Sequence, residues 1–154
     1  MIRIDEKNIE AITAHAEQDY PHECGGMLIG RFENDGRKTV VETFALENCR
    51  EEEARHNRVL ILPKDVLRAE KYARERELDV IGYYHSHPES PAVPSQYDLD
   101  HALPVWSYVI ASVINGKVVD ILSWEMENDR TKFNSEEIAR VKFEVRQRVV
   151  KQLF

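Results

Sequence analysis

The sequence predicts an α/β (α+β) sandwich, with helices flanking one mixed, mostly antiparallel sheet. Apolar periodicity switches along the chain between helical spacing and short strand-like runs. Two pairs of such runs are separated by turn sequences, Glu33-Asn34-Asp35-Gly36 and Asn115-Gly116, which mark hairpins. The 154 residues contain no repeat, low-complexity segment or Gly/Ser/Pro linker, so residues 1–154 are expected to form a single domain. That length buries a sufficient core without disulfide staples.

Asp5 caps a first helix whose apolar positions are Ile9, Ile12 and Ala16, ending near Asp19 ahead of Pro21. Gly25 to Phe32 and Lys38 to Leu46 form the first hairpin. Residues 47–57 are polar and unpatterned, a long surface loop of the kind that often carries function. Pro63 suits the first turn of a helix running to about Glu77, with a stripe of Val66, Leu67, Ala69, Tyr72 and Ala73. Val80 to Tyr84 is a short buried strand, and its end delivers His85-Ser86-His87-Pro88. Ser95 caps a short helix through His101. Trp106 to Val113 and Val118 to Met126 make the second hairpin around Asn115-Gly116. Asn134 and Glu137 suggest a capping box opening a last helix, with a stripe of Ile138, Val141, Val145, Val149 and Leu153. Its end, Val149, Val150, Leu153 and Phe154, suits either a homodimer contact or core packing.

Composition narrows the function. A net charge of −7 argues against nucleic acid, which requires a clustered basic face. No apolar run approaches the roughly 20 residues needed to span a bilayer. The start, Met1-Ile2-Arg3-Ile4-Asp5-Glu6-Lys7, lacks a signal-peptide core, and only Cys24 and Cys49 are present. A reduced, cytoplasmic protein is the resulting expectation.

The densest chemistry lies between His85 and Asp98. Two histidines at i and i+2 point to the same side of an extended segment, so both imidazoles can reach one ion. Asp98 follows His87 with ten residues between them, at the start of a helix, and can fold back as a third ligand. Two histidines and a carboxylate leave one tetrahedral position for water, the pattern of a catalytic zinc site. Pro88 and Pro94 stiffen the returning loop, and Ser95 stands three residues before Asp98. A lone His-x-His also ends many strands without any metal. Cys24 leaves a thiol–imidazole pair open as a second chemistry.

This conjunction resembles the JAMM (MPN-plus) zinc metalloprotease family, whose signature is a glutamate followed far downstream by His-x-His, ten residues and Asp. The Ser95-Gln96-Tyr97-Asp98 ending matches it, and Glu23 stands before the Gly-rich stretch Cys24-Gly25-Gly26-Met27-Leu28-Ile29-Gly30, as in the family. Resemblance runs over about residues 5 to 137. It implies a JAMM/MPN-like, cytidine-deaminase-like fold with Zn2+ on His85, His87 and Asp98. It further implies Glu23 as general base and Ser95 as oxyanion donor. Residue chemistry alone does not separate Glu23 from Glu17, Glu42 or Glu47.

Asn57-Arg58-Val59, Pro63-Lys64-Asp65 and the segment Tyr72 to Tyr84 are similar to the compact prokaryotic branch. That branch implies a peptidase or isopeptidase cutting after the C-terminal Gly-Gly of a small ubiquitin-like sulfur-carrier protein. Arg58, in the polar loop, is the candidate for gripping that tail, although Val59 stands where the family carries an aromatic. A solvated loop is the alternative reading of the same stretch. The competing function is a non-catalytic MPN-type scaffold or binding module for a ubiquitin-like partner. The fold also occurs in proteins linked to DNA repair and phage tail assembly. The Pro-Cys-x-x-Cys of zinc nucleoside deaminases and the His-Glu-x-x-His of thermolysin-type sites are missing.

Overall fold

A computed structural model describes residues 1–47 and 62–142. The elements follow in the order β1 (Ile2–Asp5), α1 (Glu6–Asp19), β2 (Gly25–Phe32), β3 (Lys38–Leu46), α2 (Pro63–Glu75), β4 (Asp79–Pro88), α3 (Gln96–His101), β5 (Ser107–Ile114), β6 (Lys117–Met126), β7 (Phe133–Glu136) and β8 (Ile138–Val141). One eight-stranded sheet is ordered β7-β6-β5-β4-β2-β3-β1-β8. β1 runs parallel to β3 and β8, and β4 parallel to β5. The remaining neighbours are antiparallel, so the expected mixed, mostly antiparallel sheet is present. No described helix is long and apolar enough to cross a membrane.

Local chemistry sets several boundaries. The Asp5 carboxylate accepts from the Asn8 amide at 2.9 Å and starts α1. Pro63 sits in the first turn of α2, and Asp65 accepts from the Leu62 amide at 3.2 Å. Asn115 and Gly116 both adopt positive φ, at 50° and 80°, matching the twist of the β5–β6 hairpin.

Each face of the sheet buries its own core. On one, α1 lays Ile9, Ile12 and Ala16 against Ile2, Ile4, Leu28, Tyr84 and Val109. On the other, α2 lays Ala69 and Ala73 against Met27, Val80, Tyr83 and Tyr108. Leu67, expected in the α2 stripe, is 65% exposed instead.

Two elements differ from expectation. Ile2–Asp5 is a strand, its alternation visible in fully buried Ile2 and Ile4 around exposed Arg3. The helix expected from Asn134 does not begin there. Residues 133–136 and 138–141 are strands, β7 along β6 and β8 along β1. Ile138 and Val141 fit either periodicity, and the free edge of β1 supplies backbone partners that an isolated helical turn lacks. The rest of that expected helix, with Val145, Val149, Leu153 and Phe154, lies outside the described residues. So do Cys49 and Arg58. β7 and β8 stand at opposite ends of the strand order yet only Glu137 separates them, so the sheet curls until its two edges meet.

Candidate metal centre

β4 carries the centre. Tyr83, His85 and His87 alternate onto the α2 side, with the Tyr83 and His85 rings stacked at 5.4 Å. Register then brings in the lead-in to β2. Gly25 pairs with His85, and Cys24 continues the pairing by exchanging bonds with Ser86. The Cys24 amide donates to Ser86 Oγ at 2.8 Å, and the Ser86 amide donates to the Cys24 carbonyl at 3.2 Å. The next residue back, Glu23, is buried, and its carboxylate lies within 4.8 Å of ring nitrogens of both His85 and His87.

α3 returns the second carboxylate. Ser95 Oγ accepts from the Asp98 amide at 3.1 Å, while Asp98 Oδ2 accepts from the Ser95 amide at 2.8 Å, a closed capping box. The same carboxylate reaches the histidines. Asp98 Oδ1 lies 3.1 Å from His85 Nε2 and Oδ2 lies 3.2 Å from His87 Nε2. The two Nε2 atoms are 3.1 Å apart. Burial opposes ionisation of Asp98, but the His85 charge, hydrogen bonds with both imidazoles and the Ser95 amide outweigh it. They hold the carboxyl far below the usual carboxylate range.

These distances test whether a metal fits. Ligands about 2.0–2.1 Å from a zinc ion at tetrahedral angles stand about 3.3–3.4 Å from one another. The spacings of 3.1–3.2 Å approach that edge length. His87 Nδ1 lies 3.0 Å from the Pro91 carbonyl, which can only accept, so this nitrogen carries hydrogen. In the neutral ring Nε2 is then a bare lone pair facing another imidazole and a carboxylate. Such a triangle repels itself unless a proton or a metal ion sits among its atoms, and the donor set of two imidazoles and a carboxylate suits zinc.

The structure therefore draws together four of the residues singled out from the sequence, His85, His87, Asp98 and Glu23, with Ser95 on the capping turn beneath Asp98. Cys24 points the other way. It packs with Leu28 and Tyr84 in the α1-side core, and burial pushes its thiol up to about 12. It is not poised as a nucleophile. Ser86, Pro91, Ser112 and Trp124 escaped the sequence reading. Strand alternation could have aimed Ser86 away from the histidines, but nothing local shows which carbonyl a tryptophan N–H will meet.

The chain matches the sequence profile of prokaryotic homologs of the JAB domain over residues 5–127. Over 108 residues it is 32% identical to the tail tip assembly protein K of Escherichia phage N15. That match covers 68% of this chain and 39% of the phage protein, so the chain spans well under half of that relative's length. A solution structure of a Desulfitobacterium hafniense protein superposes with a TM-score of 0.79 at 32% identity, covering 92% of this chain and 94% of the other. One from Salinibacter ruber gives 0.70 at 34% identity, with 94% of each chain covered.

Proposed function

The chain belongs to the prokaryotic homologues of the JAB domain, and from that premise we propose that it is a zinc-dependent peptidase or isopeptidase. Its substrate would be a small ubiquitin-like or sulfur-carrier protein, cut after a C-terminal Gly-Gly. The observation that supports this most is the mutual approach of His85 Nε2, His87 Nε2 and the Asp98 carboxylate at 3.1–3.2 Å. Zinc bound there would act as a Lewis acid and bring the pKa of a bound water to about 7. Glu23, buried beside both imidazoles, takes the water proton and passes it to the leaving amine. Ser95 Oγ accepts from the Asp98 amide as the cap of α3, and its O–H is the donor that steadies the oxyanion. A Gly-Gly tail, with no side chains, can lie extended along a strand edge to reach such a centre.

Likeness to a phage tail tip assembly protein favours one other reading, a docking module without catalysis. Intact mass after incubating zinc-loaded protein with Gly-Gly-extended sulfur-carrier proteins separates the two. Cleavage is expected from the wild type. Glu23→Ala should lose at least about 10²-fold in rate while keeping its zinc. Stable complex formation with no mass change would select the docking module. Normal cleavage by Glu23→Ala would remove Glu23 from its role.

A further inference from the structure

Four consecutive residues of the loop leaving β4 are each tied down. The Glu89 amide donates to the Val113 carbonyl at 2.7 Å, and Ser112 Oγ donates to the Ser90 carbonyl at 2.6 Å. His87 Nδ1 donates to the Pro91 carbonyl at 3.0 Å, and Trp124 Nε1 donates to the Ala92 carbonyl at 2.9 Å. Pro91 thus holds the acceptor that leaves the His87 Nε2 lone pair facing His85 and Asp98. The carbonyls on either side of Pro91 are clamped from β5 and β6. Neither Ser112 nor Trp124 belongs to the ligand cluster.

The geometry points to Ser112 and Trp124 as positioning residues of the metal centre, which act through the Ser90 and Ala92 carbonyls to set the His87 tautomer. The same wall reaches the other imidazole. Trp124 pairs across the strands with Tyr108, whose ring meets Tyr83 edge-on at 6.3 Å, and Tyr83 stacks on His85. Two strands that contribute no ligand therefore govern ligands borne by β4. Without the clamp, the loop turns the Pro91 carbonyl away and His87 divides between tautomers, one of which cannot bind a metal through Nε2.

This inference rests on the metal reading proposed above, and two measurements keep them apart. The first is the zinc dissociation constant by chelator competition. The second is the exchange rate of the His87 Nδ1–H in zinc-loaded protein, followed by nitrogen-edited NMR. Ser112→Ala and Trp124→Phe should each weaken zinc about 10-fold and speed that exchange, whereas Ser112→Thr, keeping the hydroxyl, should stay within about twofold. Ile121→Val, on the α1 side of β6, controls for lost stability and should move neither quantity. If Ser112→Ala and Trp124→Phe bind zinc as tightly as wild type with unchanged exchange, the positioning role is overturned and the metal reading stands. Failure of the wild type to bind zinc overturns the metal reading itself.

Discussion

His87, Asp98 and Cys24 show how little of a residue's chemistry is its own. The His87 ring becomes a metal-facing lone pair because a carbonyl, unable to donate, claims its other nitrogen. Asp98 works twice, closing the α3 capping box with one oxygen while both oxygens approach the histidines. Cys24, one residue from the buried glutamate, is turned onto the other face by strand alternation and silenced by burial. With its thiol pushed up to about 12, only about 10⁻⁴ of it is thiolate at pH 8. In a Cys49→Ser background, iodoacetamide at pH 8 should therefore leave the native protein unmodified over hours and label it fully in denaturant. Native labelling at the pace of a free thiol would refute this placement.

At the scale of elements, the centre depends on how closely β2, β4 and β5 approach. A Cβ on Gly82 would fall 2.2 Å from the Ser107 carbonyl oxygen, a backbone atom that cannot swing aside. Gly82→Ala should push β4 from β5 and cost about 1–3 kcal/mol, read from the denaturant midpoint. Because β4 carries both histidines, zinc affinity should fall as well; an unchanged midpoint would show that the strands have slack. Gly26 serves the same end across β2, where a Cβ would stand 2.3 Å from the Tyr84 ring. β2, β3, α1 and α3 were legible because their own caps, turns and alternation suffice to define them. The last element was not. Asn134, Glu137, Ile138 and Val141 satisfy a helical template, but β6 and β1 each present an edge, and pairing with those edges decided the outcome.

Across the whole molecule, the sheet's curl gathers charge at its seam. Lys38 Nζ reaches Glu125 Oε1 at 2.6 Å and Glu136 Oε2 at 3.5 Å, and Ser123 Oγ donates to Glu136 Oε1 at 2.8 Å. Burial, and then its hydrogen bond with Glu125, raise Glu136 above the ordinary 4.5, whereas that same bond and Lys38 hold Glu125 down at about 2. A raised carboxyl favours the folded state below its unfolded pKa and loses that contribution as pH climbs through the folded value. Glu125 behaves oppositely, contributing above 4.5 and losing its share as pH falls towards 2. Glu136→Gln removes the first effect, while its amide N–H can still donate to the Glu125 carboxylate and so keep the second. Its melting temperature should therefore rise relative to wild type as pH moves from about 4.5 to neutrality, and a difference that stays flat would show that Glu136 does not sense the seam. None of this was readable from sequence, where Lys38, Glu125 and Glu136 are ordinary surface-like charges.

What the sequence by itself determined was the set of local instructions: the hairpin turns, the caps at Asp5 and Ser95, and the spacing that sends His85 and His87 to one side of β4. Those rest on backbone geometry within a few residues, so they are written wherever the residues are. The tertiary structure decided which glutamate meets the histidines, on which face Cys24 disappears, and how Ser112 and Trp124 bind the loop behind His87. These depend on strand register and on pairing across the sheet, where each partner is chosen by the burial and hydrogen-bond needs of the whole core. A residue's neighbours in the chain carry no record of that choice.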